Sequence, residues 1–381
     1  MENLVRQLLM TAILVVTVAV SLISEPPISI AEPDAPTSRL QADLDQLVQI
    51  VGVPGAQLVV TGDGLNAQLD SGVGDLVTGA AFPDDAQVRI ASNTKTFVAT
   101  VVLQLVAEQR VNLDAPVEQY LPGIVTGPGG DGNAITVRNL LQHSSGIPDY
   151  LPYLNLASVA GLQTPRSAAE LIRLGLDQPS EFAPGTSTGY SNTDFLLAGE
   201  LIQRVTGQPV GLEVTRRIIL PLGLRDTYWP LFPLEHVIRL PHPRGYHDFD
   251  GTLVDITDID PGWGLSDGAM VSTGADLDRF FMALLSGELL PPAQLADMQR
   301  TVPSGDPLRG NDFGLGLFHR INACGLEVWS HGGAMNGFVV INAATPGRAV
   351  TISMNQLPDP ITTIMHQGDM NAVADAALCA S

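Results

Sequence analysis

The sequence predicts an α/β (α+β) fold: one antiparallel sheet assembled from both ends of the chain and flanked by helices, with a helical subdomain between the two halves. Three observations carry that prediction. Near the N-terminus an apolar period of helical spacing gives way to two short β-like runs split by the turn signal Gly62-Asp63-Gly64. Near the C-terminus four β-like runs are followed by a last helical segment. Between them, from about Asn112 to Gly287, helical pieces alternate with long loops punctuated by Pro and Gly. The domain is expected to span 38–381, its α/β part at 38–91 and 300–381 and its helical subdomain at 92–299.

Residues 1–31 stand apart. Arg6 precedes an apolar run from Leu8 to Ile23, and Ser29-Ile30-Ala31 fits the small-x-small pattern of signal-peptide cleavage. The run is slightly short of the roughly 20 apolar residues of a spanning helix, so a secretory signal is favoured over an uncleaved anchor. After a Pro-rich spacer, Leu40, Leu44, Leu47, Val48 and Val51 mark an amphipathic helix, and Ala56 to Val60 and Gln68 to Gly72 read as strands. Val88 to Ala91 is strand-like. The helix that starts at Ser92 and runs to about Gln109 is apolar on nearly every side, through Phe97, Val98, Val101, Val102, Leu103, Leu105 and Val106, which predicts a buried central helix. Further helices are expected at Val137 to His143, Ala168 to Leu174, Asp194 to Thr206 and Asp276 to Ser286. Asp312 to Arg320, Leu326 to Ser330, Gly337 to Ala343 and Ala349 to Met354 read as successive antiparallel strands, followed by a helix ending near Leu378.

With 381 residues, 45% of them hydrophobic and 15% charged, the chain can bury a large core. A formal net charge of -21 excludes nucleic acid, whose phosphates need a basic surface, and docking on anionic lipid. The two cysteines of an exported chain meet an oxidising compartment, which predicts a Cys324–Cys379 disulfide tying the last helix to a strand of the C-terminal sheet.

The chemistry begins at Ser92-Asn93-Thr94-Lys95. Lys95 is the only lysine in the chain; every other basic side chain besides histidine is an arginine. A lysine amine can give up its proton under burial or beside another cation, whereas arginine stays protonated. At i and i+3 on a helix the amine comes within reach of the Ser92 hydroxyl, the form of an activated nucleophile. A coding bias toward arginine would leave the same lone lysine, so the motif needs company. It has two companions. Gly189-Tyr190-Ser191-Asn192 puts a hydroxyl and an amide on a loop leading into a helix, and Ser330-His331-Gly332-Gly333-Ala334 ends one strand and opens the next with glycines against which a substrate can lie. His143 reads as a structural histidine. His242 and His247, near Asp248 and Asp250, lack ligand spacing, and no metal or other cofactor is expected.

Ser-x-x-Lys, Tyr-x-Asn and His-Gly-Gly, in this order, resemble the serine β-lactamase and D-alanyl-D-alanine carboxypeptidase family. Leu140 to Gly146, Pro184-Gly185, Gly268 to Thr273 and Phe313-Gly314-Leu315-Gly316 extend the resemblance over nearly all of the mature chain. It is strongest to secreted actinobacterial-type carboxypeptidases, late cysteine pair included. The resemblance implies a β-lactamase/transpeptidase-like fold with Ser92 as the acylated nucleophile and Lys95 and Tyr190 as the proton-transfer pair, either of which could take the first proton. It further implies that Asn192 orients Lys95 and meets the substrate amide, and that the N–H groups of Ser92 and Ala334, beside Gly333, form an oxyanion hole. His331 would edge the site and Trp263 would wall the cleft.

Departures concern the substrate. Where the carboxypeptidases have an arginine that reads a free carboxylate, this chain has Phe318, and Gly332 and Ala334 replace hydroxyl residues. Arg320, two residues on and on the same strand face, is an alternative reader. The expectation is a secreted, monomeric serine acyl hydrolase acting on a peptide or cell-wall-like amide, with an acyl-D-amino acid, lactam or ester as the partner molecule. An esterase or D-amino-acid amidase on the same scaffold, or a penicillin-binding module that does not turn over, are the rivals.

Overall fold

The computed structural model describes residues 35–231, 234–258, 264–304, 311–358 and 366–380. The expected signal segment and Trp263 lie outside the described residues.

Helix α1 (Ala35–Val51) buries Leu40, Leu44 and Leu47 on one stripe, and the chain then turns into the hairpin β1 (Gly55–Gly62) and β2 (Ala67–Gly72). The short β3 (Val88–Arg89) leads to α2 (Thr94–Ala107), in which every residue from Thr94 to Leu103 is buried. Phe97 of α2 stacks on Phe280 with ring centroids 3.6 Å apart. The middle of the chain supplies α3 (Asn192–Thr206), the hairpin β4 (Tyr246–Phe249) and β5 (Thr252–Asp255), and β6 (Val271–Ser272), which pairs with β3. Helix α4 (Gly274–Leu285) follows. The last part holds β7 (Asp312–Phe313), β8 (Phe318–Ile321), β9 (Glu327–Met335), β10 (Phe338–Ala344), β11 (Arg348–Met354), β12 (Gln356–Leu357) and helix α5 (Gln367–Cys379).

Seven strands form one sheet in the order β2-β1-β11-β10-β9-β8-β7, with each neighbouring pair antiparallel. The β1 strand from the start of the chain pairs with β11 from its end, in a register that sets Ala56 opposite Met354. Strand β10 shows why the sheet is covered on both faces. Its Val339, Ile341 and Ala343 pack with α1 and α5, whereas Phe338, Val340 and Ala344 join the core that contains α2 and α4. Burying each large apolar side chain contributes about 1.5–3 kcal/mol.

Four local expectations are corrected. Asp312 to Arg320 is not one strand but two, reversed at Gly314 to Leu317, where Gly316 adopts φ +71° and Gly314 N–H donates to Leu317 O. Ser330 to Ala334 does not divide two strands but lies inside β9; the turn is Asn336-Gly337, with Gly337 at φ +95°, a two-residue hairpin loop. Cys324 does pair with Cys379, but from the turn between β8 and β9 rather than from a strand. Arg320 is drawn away to Asp375 of α5, with bonds of 2.8 and 2.6 Å.

Candidate active site

Ser92 sits on a 3-10 turn, Ala91–Asn93, just before α2 rather than within it. Ala91 has φ +45°, a left-handed conformation that costs a residue with a Cβ about 1–2 kcal/mol. Such strain persists only where the surroundings over-determine the backbone. Here Ile90 N–H donates to Met270 O, Asn93 N–H donates to Ile90 O, and the Asn93 side-chain amide donates to both Ile90 O at 3.1 Å and Val340 O at 3.2 Å. Gly333 of β9 lies directly against the turn, so close that a Cβ there would run into Ile90 O. The glycine serves close approach of two backbones, not a bend. Ser92 itself is half-buried and faces a cavity.

Lys95 follows one turn on and is fully buried. Its Nζ lies 2.9 Å from Ser92 Oγ, 2.8 Å from Asn192 Oδ1 and 2.7 Å from the backbone O of Asp267. Two of these partners are carbonyl oxygens, which only accept, while the third is a hydroxyl, which can accept or donate. An ammonium therefore donates to all three. A neutral amine keeps both carbonyls and turns its lone pair to the Ser92 O–H, the contact of a base with its nucleophile. The Tyr190 ring lies beside the amine, its centroid 5.1 Å from Nζ.

Behind these groups stand two carboxylates. Asn192 Nδ2 donates to Asp149 at 3.0 and 3.2 Å, and Tyr150 Oη donates to Asp267 at 2.7 Å. Burial pushes the carboxyls of Asp149 and Asp267 above the ordinary aspartate range, opposed in both by the charge of Lys95. Burial, reinforced by the Asp267 charge, pushes Tyr150 well above the usual phenol value. Asp194, fully buried and bonded to Ser145 Oγ at 2.6 Å, is likewise pushed well up by burial.

The cavity holds about 320 Å³ and brings together Ser92, Tyr190, Asn192, Phe318, His331, Gly332, Gly333 and Ala334. His331 is held by a bond from its Nδ1 to Gly332 O at 2.7 Å. Phe318 covers its ring at 4.6 Å, and the Tyr190 ring centroid lies 6.5 Å away. His143 lies tilted against Tyr190 with centroids 4.4 Å apart, and its Nδ1 accepts from Ser191 N–H. His242 Nδ1 donates to Pro243 O, and the ring of His247 meets Phe249 edge-on.

Sequence reasoning missed Asp149, Tyr150 and Asp267, together with the Phe313, Met370 and Asn371 walls of the cavity. Asp149 and Tyr150 come just after the family-like Leu140 to Gly146 stretch, separated from it by Ile147 and Pro148, and that proximity is the available signal.

A serine–lysine pair on this turn, facing strand β9 of an antiparallel sheet across a cavity, defines the class of penicillin-recognising serine hydrolases. The β-lactamase family profile matches residues 40–369, and the chain belongs to the β-lactamase family. A D-stereospecific amidohydrolase from a Streptomyces species has a structure similar to it, with 34% identity and a TM-score of 0.78, covering 86% of this chain and 97% of that one. Esterase EstB of Burkholderia gladioli is 29% identical over 313 residues, 74% of this chain and 79% of the esterase. A candidate D-alanyl-D-alanine carboxypeptidase of Escherichia coli (strain K12) is 34% identical over 142 residues, so the match spans 36% of this chain and about a third of that protein, 32%. Among the described residues no helix is long and apolar enough to cross a membrane.

Proposed function

We propose that the protein is a secreted serine acyl hydrolase that works through an acyl-enzyme on Ser92. The carrying observation is the threefold contact of Lys95 Nζ with one hydroxyl and two carbonyl oxygens. Ser92 Oγ bonds to the substrate acyl carbon as its proton passes to Lys95 Nζ. The C–N or C–O bond to the leaving group then breaks, and that proton reaches the departing atom by way of Tyr190. Water repeats the sequence to release the acid. General-base help of this kind is worth roughly 10²- to 10⁴-fold. The backbone N–H groups of Ser92 and Ala334 take the developing oxyanion, at about 3–4 kcal/mol per donor.

The substrate is an amide or ester of a peptide-like acyl group. Phe318 in the cavity wall and the pairing of Arg320 with Asp375 favour the esterase or D-amino-acid amidase branch over a carboxypeptidase that reads a free terminal carboxylate. The names of the Streptomyces amidohydrolase and the Burkholderia esterase fit the same branch.

The test is the intact mass of the mature protein after exposure to a penicillin, beside Ser92→Ala, with hydrolysed drug and p-nitrophenyl ester cleavage measured in the same samples. A single adduct or turnover of either compound, present in the wild type and absent in Ser92→Ala, is the expected result. Activity that survives Ser92→Ala, or no adduct and no turnover at all, overturns the proposal.

A further inference from the structure

The two residues that supply the carbonyl acceptors of Lys95 are both held by one dipeptide. Asp149 receives the Asn192 side-chain amide, and its neighbour Tyr150 donates to the Asp267 carboxylate. The amide is the critical part. An Asn side chain can flip by exchanging its O and N ends, and the flipped form would point an NH2 group at an amine that also carries hydrogens. A carboxylate accepts and never donates, so Asp149 admits only the orientation with Nδ2 toward itself and Oδ1 toward Lys95. Asn192 itself lines the cavity, so its orientation is fixed at the edge of the substrate space.

We propose that Asp149 is a positioning residue for acylation, acting through Asn192 on Lys95; this rests on the reading of Ser92 and Lys95 given above. Asp149 also accepts from the backbone N–H of Asn192, the first residue of α3, at 3.3 Å and of Leu151 at 3.1 Å. Ser191, which precedes α3, makes no side-chain cap bond. A purely structural role as a helix cap is therefore the rival, and the test has to separate the two. The charged and titratable groups whose fields couple with Asp149 are Lys95, Tyr150, Glu181 and Asp194, with Asp267 and Tyr190 beyond Tyr150.

Asp149→Asn keeps the volume and a carbonyl for the backbone N–H groups, but it removes the charge and lets the two amides flip. The burst rate of Ser92 acylation by a p-nitrophenyl ester, measured across pH, should fall roughly tenfold or more, since small misplacement of a reacting group costs up to about 10²-fold. The acid limb should move to lower pH, because a negative charge that favours the ammonium is gone. Asp149→Glu should recover part of the rate. An unchanged rate, or a lower rate with an unmoved acid limb, overturns the proposal. A second measurement does not depend on the size of the first effect. In an Asn192→Ala background, adding Asp149→Asn should cost nothing further, and an additive loss would show that Asp149 does not act through Asn192. Ser92→Ala run beside these variants keeps the two ideas apart: acylation that persists there sinks the Ser92 reading, whereas its loss alongside a wild-type Asp149→Asn profile sinks only the Asp149 link.

Discussion

Arg320 and Asp375 form a two-pronged ion pair across the β8–α5 junction, with Nη1 at 2.8 Å and Nη2 at 2.6 Å from the two carboxylate oxygens. Both side chains are largely covered, 12% and 16% exposed, so the pair is not a loose surface contact. An arginine held this way is not available to a substrate carboxylate unless Asp375 is left buried and unpaired.

The first prediction follows from that pair. An acyl-D-Ala-D-Ala peptide and its methyl ester or amide should differ little in kcat/KM, or differ in favour of the neutral form. Phe318→Arg, which puts a cation in the cavity wall next to His331, should shift the ratio toward the free acid by about tenfold or more, the worth of a charge-assisted bond of 1.5–3 kcal/mol. A wild-type preference for the free acid would end the argument from Arg320.

Adjacent glycines in β9 should behave in opposite ways. A Cβ at Gly332 meets nothing within 4 Å, whereas one at Gly333 would collide with Ile90 O and press on the Asn93 amide. Gly332→Ala should keep both stability and acylation, and Gly332→Thr should fit as well, adding a hydroxyl beside the cavity. Gly333→Ala must push β9 off the strained turn that carries Ser92, with an expected loss of roughly 1–3 kcal/mol in stability, as for overpacking, and a larger loss of rate. Urea unfolding and ester hydrolysis on the two variants would test this, and equal behaviour at 332 and 333 would contradict it.

This pair of glycines also shows what could be read before the structure. Ser92, Lys95, Tyr190 and His331 were legible because their chemistry is tied to residue type and short spacing, and because a lone lysine beside a serine is conspicuous. The β-like runs at both ends of the chain and the all-round apolar surface of α2 announced the sheet and the buried central helix. Gly332-Gly333 reads as a strand boundary in sequence yet lies inside β9, because glycine serves bends and close backbone contacts alike and only the third dimension tells them apart. The real bend is Asn336-Gly337, an Asn-Gly pair of the kind that favours a two-residue hairpin loop. Asp149 and Asp267 escape sequence reading for a different reason, although Asp149 lies near the family-like Leu140 to Gly146 stretch. In a chain with 40 acidic residues, a loop carboxylate becomes distinctive only when its partner, a residue 43 positions away in the case of Asn192, is brought against it.

A pH-dependent stability is expected from Asp278 on α4. It is fully buried against the sheet, accepts bonds from Thr351 Oγ1 at 2.7 Å, Thr61 Oγ1 at 3.1 Å and Asn342 Nδ2 at 3.3 Å, and has no cation among these partners. Burial pushes its carboxyl well above the ordinary value of 3.8. The folded chain therefore holds this proton where the unfolded chain has lost it. The associated stability is fully present below the unfolded value and is lost as pH rises through the folded one. Asp194, also fully buried, has the same sign. Asp278→Asn removes the proton dependence while its amide can still accept from Thr351 and Asn342 and donate to Thr61. Its Tm should exceed that of the wild type at pH 8, by more than at pH 5. A difference that does not change with pH, or a lower Tm at pH 8, would refute the assignment.

The disulfide should matter to the cavity as well as to stability. Cys324 and Cys379 are 55 residues apart in sequence, and closing a loop of that length in the unfolded chain is worth about 4 kcal/mol on the chain-entropy account. For a domain of this size, at about 2.1 cal/mol/K per residue, that corresponds to a Tm lower by roughly 5 °C in Cys324→Ser/Cys379→Ser. The bond anchors the end of α5, and the first two turns of the same helix supply Gln367, Met370 and Asn371 to the cavity. The Arg320–Asp375 pair sits between the two ends and holds the middle. Loss of the disulfide alone should therefore lower Tm with only a small rise in KM. Combining it with Asp375→Ala should raise KM by more than the product of the separate effects, because the helix then loses both anchors. Additive changes in KM would mean that α5 is positioned by its apolar packing alone.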